Sequence, residues 1–321
     1  MEAFFTMLEN VIIFVALAVP GYLLAKLKLI KKEHSGVLSA LLVNVGVPFL
    51  IISSLQNVTM DGEISLALVL IGVIGVAFTF LMFFLSAFLT NKSEETKKRG
   101  MTRFAMIFAN NGFLGIPLAQ ATFGNGSKAL AFLIILNVLS NILMYTLGVY
   151  LISGDKKSIQ LKKAFINPFV ISFVSGILLN VLRNAVNLDV IFNPIANYST
   201  KLGNMVTPLS MIIIGIKLAD VPFGKIFTTG KMYFASFIRL VAFPALGVGL
   251  MFLLMAIVPA VNVDMIKAFF VAFATPVAGL ASTFADQHNG DSEHGVIYTL
   301  GSTVLSVATI PVLYLLLNLL F

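Results

Sequence analysis

Carboxamide side chains occur inside a long apolar stretch of this chain, at positions where they could bind a polar ligand. Residues 108–117 read FANNGFLGIP, which places Asn110 and Asn111 side by side among apolar residues. A carboxamide donates hydrogen bonds to a carboxylate and accepts them from a hydroxyl or an amine. We therefore interpret Asn110 and Asn111 as contacts for a small polar substrate, in preference to hydrogen bonds between neighbouring helices.

A second pair of carboxamides follows in the next apolar stretch. Asn137 and Asn141 are four residues apart, so they share one face of a helix. The same residue type also bonds neighbouring helices in membrane proteins, for about 1 kcal/mol each. The sequence leaves both roles open for this pair, substrate contact and interhelical hydrogen bonding.

Glycine and proline residues interrupt the first of these stretches. The apolar run over 104–123 is about 30 Å long as a helix, which is enough to cross a bilayer. Pro117 removes a backbone donor and clashes with the preceding turn, and Gly112 and Gly115 lie just before it. A break at this depth survives only against protein or a water-filled cavity, as in the discontinuous helices of transporters.

A comparable interruption occurs far along the chain, where residues 273–279 read FATPVAG and include Thr275, Pro276 and Gly279. Two broken helices of opposite direction can cross at their breaks. Their four half-helix ends then offer N–H groups to an anion and carbonyls to a cation. The alternative is a pair of ordinary proline kinks. We favour the crossing, with Thr275 as a further substrate contact, because adjacent carboxamides accompany the first break.

The composition indicates a membrane protein. Apolar residues make up 59% of the chain, charged residues make up 11%, and the mean hydropathy is +1.00. A soluble domain carries about 25% charged residues, so this chain could not cover a surface that faces water. The sequence has no cysteine, no glycine-rich phosphate loop and no catalytic triad. We therefore expect an all-α integral membrane protein that is not an enzyme and binds no cofactor and no metal.

Ten transmembrane spans follow from the hydropathy pattern. They cover approximately residues 8–28, 36–56, 64–90, 103–123, 127–152, 166–183, 198–219, 231–258, 265–286 and 293–320. An odd number of spans in each half means that the second half enters the membrane in the opposite sense. We predict a first repeat at residues 1–152 (spans 1–5), a cytoplasmic linker at residues 153–165, and a second repeat at residues 166–321 (spans 6–10).

Equivalent motifs in the two halves support an inverted repeat. In span 2 Asn44 precedes Pro48 by four residues, and in span 7 Asn204 precedes Pro208 by four residues. Spans 1 and 6 share a further short match, Gly-Tyr-Leu-Leu at 21–24 and Gly-Ile-Leu-Leu at 176–179. We interpret Asn44 and Asn204 as structural residues, because each can bond carbonyls that the nearby proline leaves unpaired.

Basic residues mark one side of the membrane. The loops on that side hold Lys26, Lys28, Lys31, Lys32, Lys92, Lys97, Lys98, Arg99, Arg103, Lys156, Lys157, Lys162, Lys163, Lys217, Lys225 and Lys231. The opposite side holds only Lys128, Arg183, Lys201 and Lys267. The positive-inside rule then predicts a plasma-membrane protein with both termini extracytoplasmic. The net charge of +7 is thus a topology signal, and we expect no binding to nucleic acid.

One basic residue lies inside a predicted span. Arg239 in span 8 could attract an organic anion, or its long side chain could extend to the cytoplasmic surface. We favour the second interpretation. No Asp or Glu lies deep in a predicted span, so proton coupling through a buried carboxylate has no evident candidate.

The segment from Asn110 to Pro117, the two Asn–Pro pairs and the FATP break resemble the auxin efflux carrier family. This family includes the plant PIN-FORMED exporters and bacterial permeases associated with malonate or malate. The resemblance covers the whole chain, and the span 4 motif is its most specific part. Asn110 matches the Asn ahead of the plant carriers' crossover proline, and Pro117 matches that proline. Pro276 matches the first proline of their span 9 motif, whereas Ala281 replaces a second one, and Asn111 stands where plant members tend to carry Thr.

The resemblance implies ten spans in an inverted repeat with broken, crossing helices 4 and 9, as in sodium/proton antiporters and bile-acid symporters. It also implies a scaffold of spans 1, 2, 6 and 7, a transport domain of spans 3–5 and 8–10, homodimerisation through the scaffold, and elevator-type movement. The chain lacks the large cytoplasmic loop of the plant exporters, so a small carboxylate matches this chain better than auxin does.

We therefore predict a secondary transporter that binds a small organic anion at the crossing and moves it by alternating access. A sodium-coupled symporter, with carbonyls near the breaks holding the cation, is an alternative in the same class, and the sequence leaves coupling to protons or sodium open. A channel or a ligand sensor on the same fold is the alternative from a different class. The expected partners are the organic anion, the lipid bilayer and a second copy of the chain.

Overall fold

The computed structural model describes residues 2–31, 34–56, 58–186, 189–219, 224 and 228–321. These residues are predominantly helical, and among them the one β-type pairing is a single bridge between Ala109 and Val277. The predicted all-α class is thus confirmed for this part of the chain. Lys32 and Lys225, two of the residues that predicted the orientation, lie outside it.

The helices follow one another with short connections. In chain order they are α1 (Glu2–Lys26), α2 (His34–Gln56), α3 (Gly62–Leu89), α4 (Thr96–Ile107), α5 (Ile116–Phe123), α6 (Lys128–Ser153), α7 (Leu161–Phe165), α8 (Pro168–Val186), α9 (Asp189–Gly203), α10 (Val206–Ala219), α11 (Gly230–Ile257), α12 (Val263–Ala274), α13 (Ala281–Gln287) and α14 (Ser292–Asn318). A single 3₁₀ turn, Lys156–Ser158, lies in the predicted linker.

Eight stretches of the described chain are long and apolar enough to cross a membrane. They are Met7–Lys26, His34–Gln56, Gly62–Leu89, Lys128–Ser153, Leu161–Ala185, Val190–Ala219, Gly230–Ile257 and Ser292–Asn318. These stretches coincide with predicted spans 1, 2, 3, 5, 6, 7, 8 and 10. The regions predicted as spans 4 and 9 instead contain two short helices each, α4 with α5 and α12 with α13. The protein is therefore a multi-pass membrane protein.

Helix α9 begins earlier than the predicted start of span 7 at residue 198. It extends from Asp189 and is separated from α10 by a turn at residues 204–205. The first half of α9 includes Asn193 and Pro194, which lower its hydropathy. The hydropathy pattern therefore places the start of span 7 later than the start of the helix. Where α9 ends, Gly203 lies so close to the backbone of Leu50 that a Cβ would approach its Cα within 2.8 Å.

Widened, π-helical turns precede three of the prolines. Leu42–Gly46 precedes Pro48, Asn111–Gly115 precedes Pro117, and Ile238–Ala242 precedes Pro244. A proline lacks the N–H that the carbonyl four residues earlier would receive, and its ring clashes with that carbonyl. An extra residue in the preceding turn displaces the carbonyl and removes the clash. Each of these three prolines is therefore accommodated by a widened turn just before it.

Glycines allow several helix pairs to pack closely, and the α1–α10 and α2–α8 pairs are two examples. In the α1–α10 pair, a Cβ at Gly21 would lie 2.1 Å from the carbonyl oxygen of Ile212, and one at Gly215 would lie 2.0 Å from that of Ala18. In the α2–α8 pair, Gly176 contacts Leu55, and the side-chain amide of Asn180 donates to its carbonyl at 2.8 Å. Small residues allow such close approach in membranes, where dispersion contacts hold helices together.

The interior of the molecule is built around α6 and α12. Every residue from 268 to 274 in α12 is buried. Phe269 and Phe273 of α12 pack edge-on against Phe78 of α3, with ring centroids 5.2 and 4.9 Å apart, and α12 also contacts α6. The outer face of α3 is apolar and exposed, for example at Val69, as expected for a face that contacts lipid. This interior holds the two interrupted helices in place.

Candidate functional site

The two interrupted helices meet at their breaks. After α4 ends at Ile107, the backbone of residues 108–110 pairs in antiparallel fashion with residues 276–278, which follow the end of α12. The N–H of Asn110 donates to the carbonyl of Pro276 at 2.8 Å, and the N–H of Ala278 donates to the carbonyl of Phe108 at 3.0 Å. Backbone groups that would be unpaired in each broken helix thus satisfy one another.

The paired backbone of the two breaks forms a junction, and Arg239 of α11 bonds the backbone carbonyls on one side of it. Its side chain is 0% exposed, and its guanidinium donates to the carbonyls of Ile107 at 2.8 Å, Phe273 at 2.9 Å and Thr275 at 3.1 Å. A fourth hydrogen bond of 3.4 Å reaches Met106. The last carbonyls of a helix have no partner within it, and a cation there also complements the helix dipole. One guanidinium therefore caps the C-terminal ends of both α4 and α12.

The prediction that Arg239 extends to the cytoplasmic surface is wrong. The helix breaks expose unpaired carbonyls in the interior, and a guanidinium with five donors satisfies several of them at once. This offers Arg239 hydrogen bonds within the protein that an unbroken helix could not provide. The alternative prediction, a direct contact with an organic anion, is not what its hydrogen bonds show either, since their acceptors are backbone carbonyls.

Asn111 and Thr275 connect the two breaks to each other. The hydroxyl of Thr275 donates to Oδ1 of Asn111 at 3.0 Å, and both side chains are buried. Gly115 lies beside them, since a Cβ at that position would be 3.5 Å from Cγ2 of Thr275. Their mutual hydrogen bond fixes one break against the other. Asn111 and Thr275, both predicted as substrate contacts, are not among the residues that line the polar cavity beside the breaks.

A small polar cavity lies on the other side of the junction. Its volume is about 20 Å³, which is room for about one water molecule. Its polar side chains are Asn110, Asn137, Ser140 and Asn141, and its larger apolar side chains are Phe113, Met144, Phe169 and Leu280. The structure therefore brings three of the predicted carboxamides into one cavity, together with Gly112 and Gly279.

The amides of Asn137 and Asn141 bond each other, as their spacing allows. Nδ2 of Asn141 donates to the backbone carbonyl of Asn137 at 2.8 Å and to its Oδ1 at 3.2 Å. A backbone carbonyl only accepts, so the first bond fixes which end of the Asn141 amide carries the N–H groups. Oδ1 of Asn137 is therefore the acceptor of the second bond, and its Nδ2 points elsewhere.

Two buried amide nitrogens at the cavity have no hydrogen-bond partner among the described residues. They are Nδ2 of Asn110 and Nδ2 of Asn137, whose side chains are 4% and 1% exposed. Leaving such a donor buried without an acceptor costs about 1–3 kcal/mol. Because both atoms are donors, the group that would satisfy them is an acceptor, such as a carboxylate oxygen or the oxygen of a water molecule.

The backbone at the cavity adds to the surplus of donors. The widened turn Asn111–Gly115 begins the second half of the interrupted helix, and the first N–H groups of a helix have no acceptor within it. This end of the helix carries positive partial charge. The carbonyl ends of α4 and α12 are bonded to Arg239, whereas the start of this helix, at Gly112, lines the cavity. The cavity thus favours a group with negative charge.

The remaining predicted residues lie in structural positions. Nδ2 of Asn44 donates to the carbonyl of Ala40 at 2.8 Å within α2, and Asn204 is exposed in the turn before α10. The prolines that follow them, Pro48 and Pro208, lie in α2 and α10. Pro117 lies in α5 directly after the widened turn Asn111–Gly115, and Pro276 supplies the carbonyl that bonds Asn110. Among the described residues, no group of three or more acidic, His or Cys residues could hold a metal ion.

Phe169 of α8 is a cavity residue that the sequence did not indicate. It comes from the region predicted as span 6, and its ring lies over Gly112, where a Cβ would approach the ring within 3.1 Å. One phenylalanine among 29 carries no local signal of this role, because the contact depends on how α8 packs against the broken helix.

Comparisons with known proteins identify the family of this chain. The family model described as membrane transport protein matches residues 6–314, nearly the whole chain. An uncharacterized transporter of Methanothermobacter thermautotrophicus is 26% identical over 306 residues, covering 94% of this chain and 96% of its own length. The chain therefore belongs to the membrane transport protein family, the auxin efflux carrier family that its motifs resemble.

Proposed function

We propose that this membrane transporter is a secondary carrier that binds a small organic anion at the polar cavity beside the crossing. The observation that carries the proposal is a pair of buried donors without an acceptor among the described residues, Nδ2 of Asn110 and Nδ2 of Asn137, which line the same cavity. A carboxylate accepts up to four hydrogen bonds and so satisfies both nitrogens at once. Hydrogen bonds to a charged acceptor are also about twice as strong as those between neutral groups.

The electrostatic surroundings support an anion over a cation. No acidic side chain is among the described residues that line the cavity, so an anion meets no like charge there. The helix that begins at Asn111 contributes positive partial charge, while Arg239 balances the negative ends of α4 and α12. A cation would instead need carbonyl or carboxylate oxygens, and Arg239 already bonds the carbonyls at the ends of both helices.

The proposed architecture is ten spans in a 5+5 inverted repeat, with repeats at residues 1–152 and 166–321. Equivalent contacts in the two halves support it. The motif alignment that pairs Asn44 with Asn204 also pairs Ile52 with Ile212. A Cβ at Gly21 would lie 2.9 Å from Cα of Ile212, and a Cβ at its counterpart Gly176 would lie 3.4 Å from Cα of Ile52. Inverted repeats of this kind place substrate sites near the bilayer midplane.

Alternating access by an elevator movement fits the composition of the cavity wall. Spans 3–5 and 8–10 would move as the transport domain, and spans 1, 2, 6 and 7 would form the scaffold and the interface of a homodimer. Apart from Phe169 of α8, the lining residues come from spans 4, 5 and 9. A volume of about 20 Å³ is too small for an organic anion, so the cavity has to widen for substrate entry, and separation of Gly112 from Phe169 would widen it. The plasma membrane, with both termini outside the cytoplasm, remains the proposed location.

The test is a counterflow screen in proteoliposomes with a panel of mono- and dicarboxylates and, as controls, amines of similar size. We expect exchange of at least one carboxylate and of no amine. Binding without exchange would indicate a sensor, and currents far above carrier turnover would indicate a channel; either result contradicts the proposal. Repeating the screen with sodium and proton gradients separates coupled from uncoupled transport, and indifference to sodium excludes the sodium symporter.

The site assignment is tested in the same assay with Asn110→Ala, and with Asn44→Ala as the matched control. Asn44 bonds only its own helix among the described hydrogen bonds, so its loss should leave exchange unchanged. Loss of a hydrogen bond to a charged ligand costs about 1.5–3 kcal/mol, which corresponds to a decrease in affinity of about 10- to 100-fold. Equal exchange by both variants would contradict the assignment of the cavity.

A further inference from the structure

A lysine of α10 contacts the edge of the cavity. Nζ of Lys217 donates to the carbonyl of Gly279 at 3.3 Å, and its side chain is half-buried. Gly279 belongs to the segment between α12 and α13, so this bond joins a helix of the proposed scaffold to the break of span 9. The sequence had indicated Lys217 only as one of the basic residues that set the orientation.

Gly279 separates this ammonium from the unpartnered amide of Asn110. A Cβ at Gly279 would lie 3.5 Å from Oδ1 and 3.6 Å from Nδ2 of Asn110, and both residues line the cavity. The side chain of a lysine has four flexible methylene groups and a compact charge, so its Nζ can shift by several ångströms through rotamer changes alone. A small movement therefore brings the ammonium from the carbonyl of Gly279 to a group held by Asn110.

An organic anion at this site needs a compensating charge. Burying a carboxylate in a low-dielectric interior is unfavourable unless the carboxylate is paired with a cation and hydrogen-bonded. Among the described residues that line the cavity, none is charged, and the guanidinium of Arg239 is bonded to four backbone carbonyls. Lys217 is a cation that donates a hydrogen bond to a residue of the cavity wall, Gly279.

We propose that Lys217 is a specificity-determining residue of the transporter and forms an ion pair with the second carboxylate of a bound dicarboxylate, whose first carboxylate is held by Asn110 and Asn137. This inference rests on the proposed function, since it assigns a charge partner to the same site. When the dicarboxylate binds, the ammonium exchanges the carbonyl of Gly279 for the second carboxylate, which is the stronger acceptor. The exchange also releases Gly279 from α10, so that binding of the anion frees the break of span 9 from the proposed scaffold.

The alternative is a purely structural role, in which Lys217 only holds Gly279 in position. The two roles differ in how they depend on the charge of the substrate. A structural lysine would affect all substrates by the same factor. An ion-pairing lysine would affect an anion with a second carboxylate more than the half amide of the same acid, which is nearly equal in size and has one charge less.

The experiment measures counterflow of C3–C5 dicarboxylates and of their half amides by wild type, Lys217→Met, Lys217→Arg and the control Lys201→Met. Lys201 is an exposed lysine of α9, and methionine keeps the length and apolar character of the stem. For Lys217→Met we expect the preference for the dicarboxylate over its half amide to fall by about 10- to 100-fold. We expect Lys217→Arg to retain the preference and Lys201→Met to resemble wild type.

The outcomes separate this inference from the proposed function. If wild type exchanges dicarboxylates and Lys217→Met lowers both substrates equally, Lys217 is structural and the inference is overturned while the proposed function stands. An unchanged preference in Lys217→Met overturns it as well. If wild type exchanges none of the anions, the proposed function fails and the inference fails with it. Thermal stability of purified Lys217→Met shows whether the variant is folded, and the ratio of two substrates in one preparation is independent of its yield.

Discussion

The two sides of the crossing differ in how their polar groups are satisfied. On one side, Arg239 donates to four backbone carbonyls at the ends of α4 and α12, which have no partner within their own helices. On the other side, the amide nitrogens of Asn110 and Asn137 are buried without an acceptor among the described residues. Satisfied polar groups are typical of a structural role, whereas a buried donor without an acceptor is typical of a ligand site. We propose on this basis that one side contributes to stability and the other binds the substrate.

Among the substitutions proposed here, removal of the Arg239 guanidinium should have the largest effect, and that effect should be on stability. Arg239→Met would leave buried carbonyls at two helix ends without donors, at a cost of about 3 kcal/mol or more. We expect a large decrease in the melting temperature of the purified protein in detergent, and partial recovery in Arg239→Lys. Arg183→Met is the control, since Arg183 bonds the side chain of Asn193 at an exposed site. A melting temperature like that of the control would refute the capping role.

A methyl group on the cavity wall should impair transport more than stability. In Gly279→Ala the added carbon would lie 3.1 Å from the ring of Phe113 and 3.5 Å from Oδ1 of Asn110. It would occupy part of a cavity of about 20 Å³ and impede closure around a substrate. We expect exchange to fall about tenfold or more, by analogy with the 1–3 kcal/mol cost of overpacking.

The matched control for this variant is Gly249→Ala in α11, where an added Cβ meets no atom within 4 Å. It should exchange substrate at the wild-type rate. If Gly279→Ala did the same, the cavity would not be the substrate site. Both variants should be assayed at equal amounts of folded protein in the liposomes.

The hydrogen bond between Thr275 and Asn111, which joins the two breaks, should contribute less to stability than Arg239 does. Thr275→Val removes the donor to Oδ1 of Asn111 and should lower the free energy of unfolding by about 1 kcal/mol. Thr146→Val is the control, because the hydroxyl of Thr146 bonds carbonyls of its own helix. A loss of transport from Thr275→Val without any loss of stability would show instead that Asn111 and Thr275 contact the substrate.

The location of the crossing could be predicted from the sequence because its signals are local. Pro117 and Pro276 lie inside apolar runs, where a proline disturbs any helix; Pro276 falls in the interrupted segment after α12, and Pro117 lies seven residues after the paired segment 108–110. The spacing of Asn137 and Asn141 likewise predicts a shared helix face, and in the structure these two amides bond each other. Such features depend on residues a few positions apart, which a single sequence displays.

The partners of each polar group could not be predicted because they depend on the packing of distant segments. Asn110 and Asn111 are adjacent and of the same type, yet one lines the cavity and the other bonds Thr275. Arg239 has four acceptors that become available only because two distant helices break at the same place. Phe169 and Lys217 reach the site from helices that carry no motif for it.

The most direct measurement of the central claim compares stability and anion binding in Asn137→Leu, a substitution of similar shape that removes an unpartnered donor. Stability should stay within about 1 kcal/mol of wild type, since Nδ2 of Asn137 has no acceptor among the described residues and the bond from Asn141 to the backbone carbonyl of residue 137 remains. Binding of the carboxylate found by the counterflow screen should weaken at least about tenfold. Unchanged binding, or a loss of stability as large as that of Arg239→Met, would contradict the assignment of the two sides.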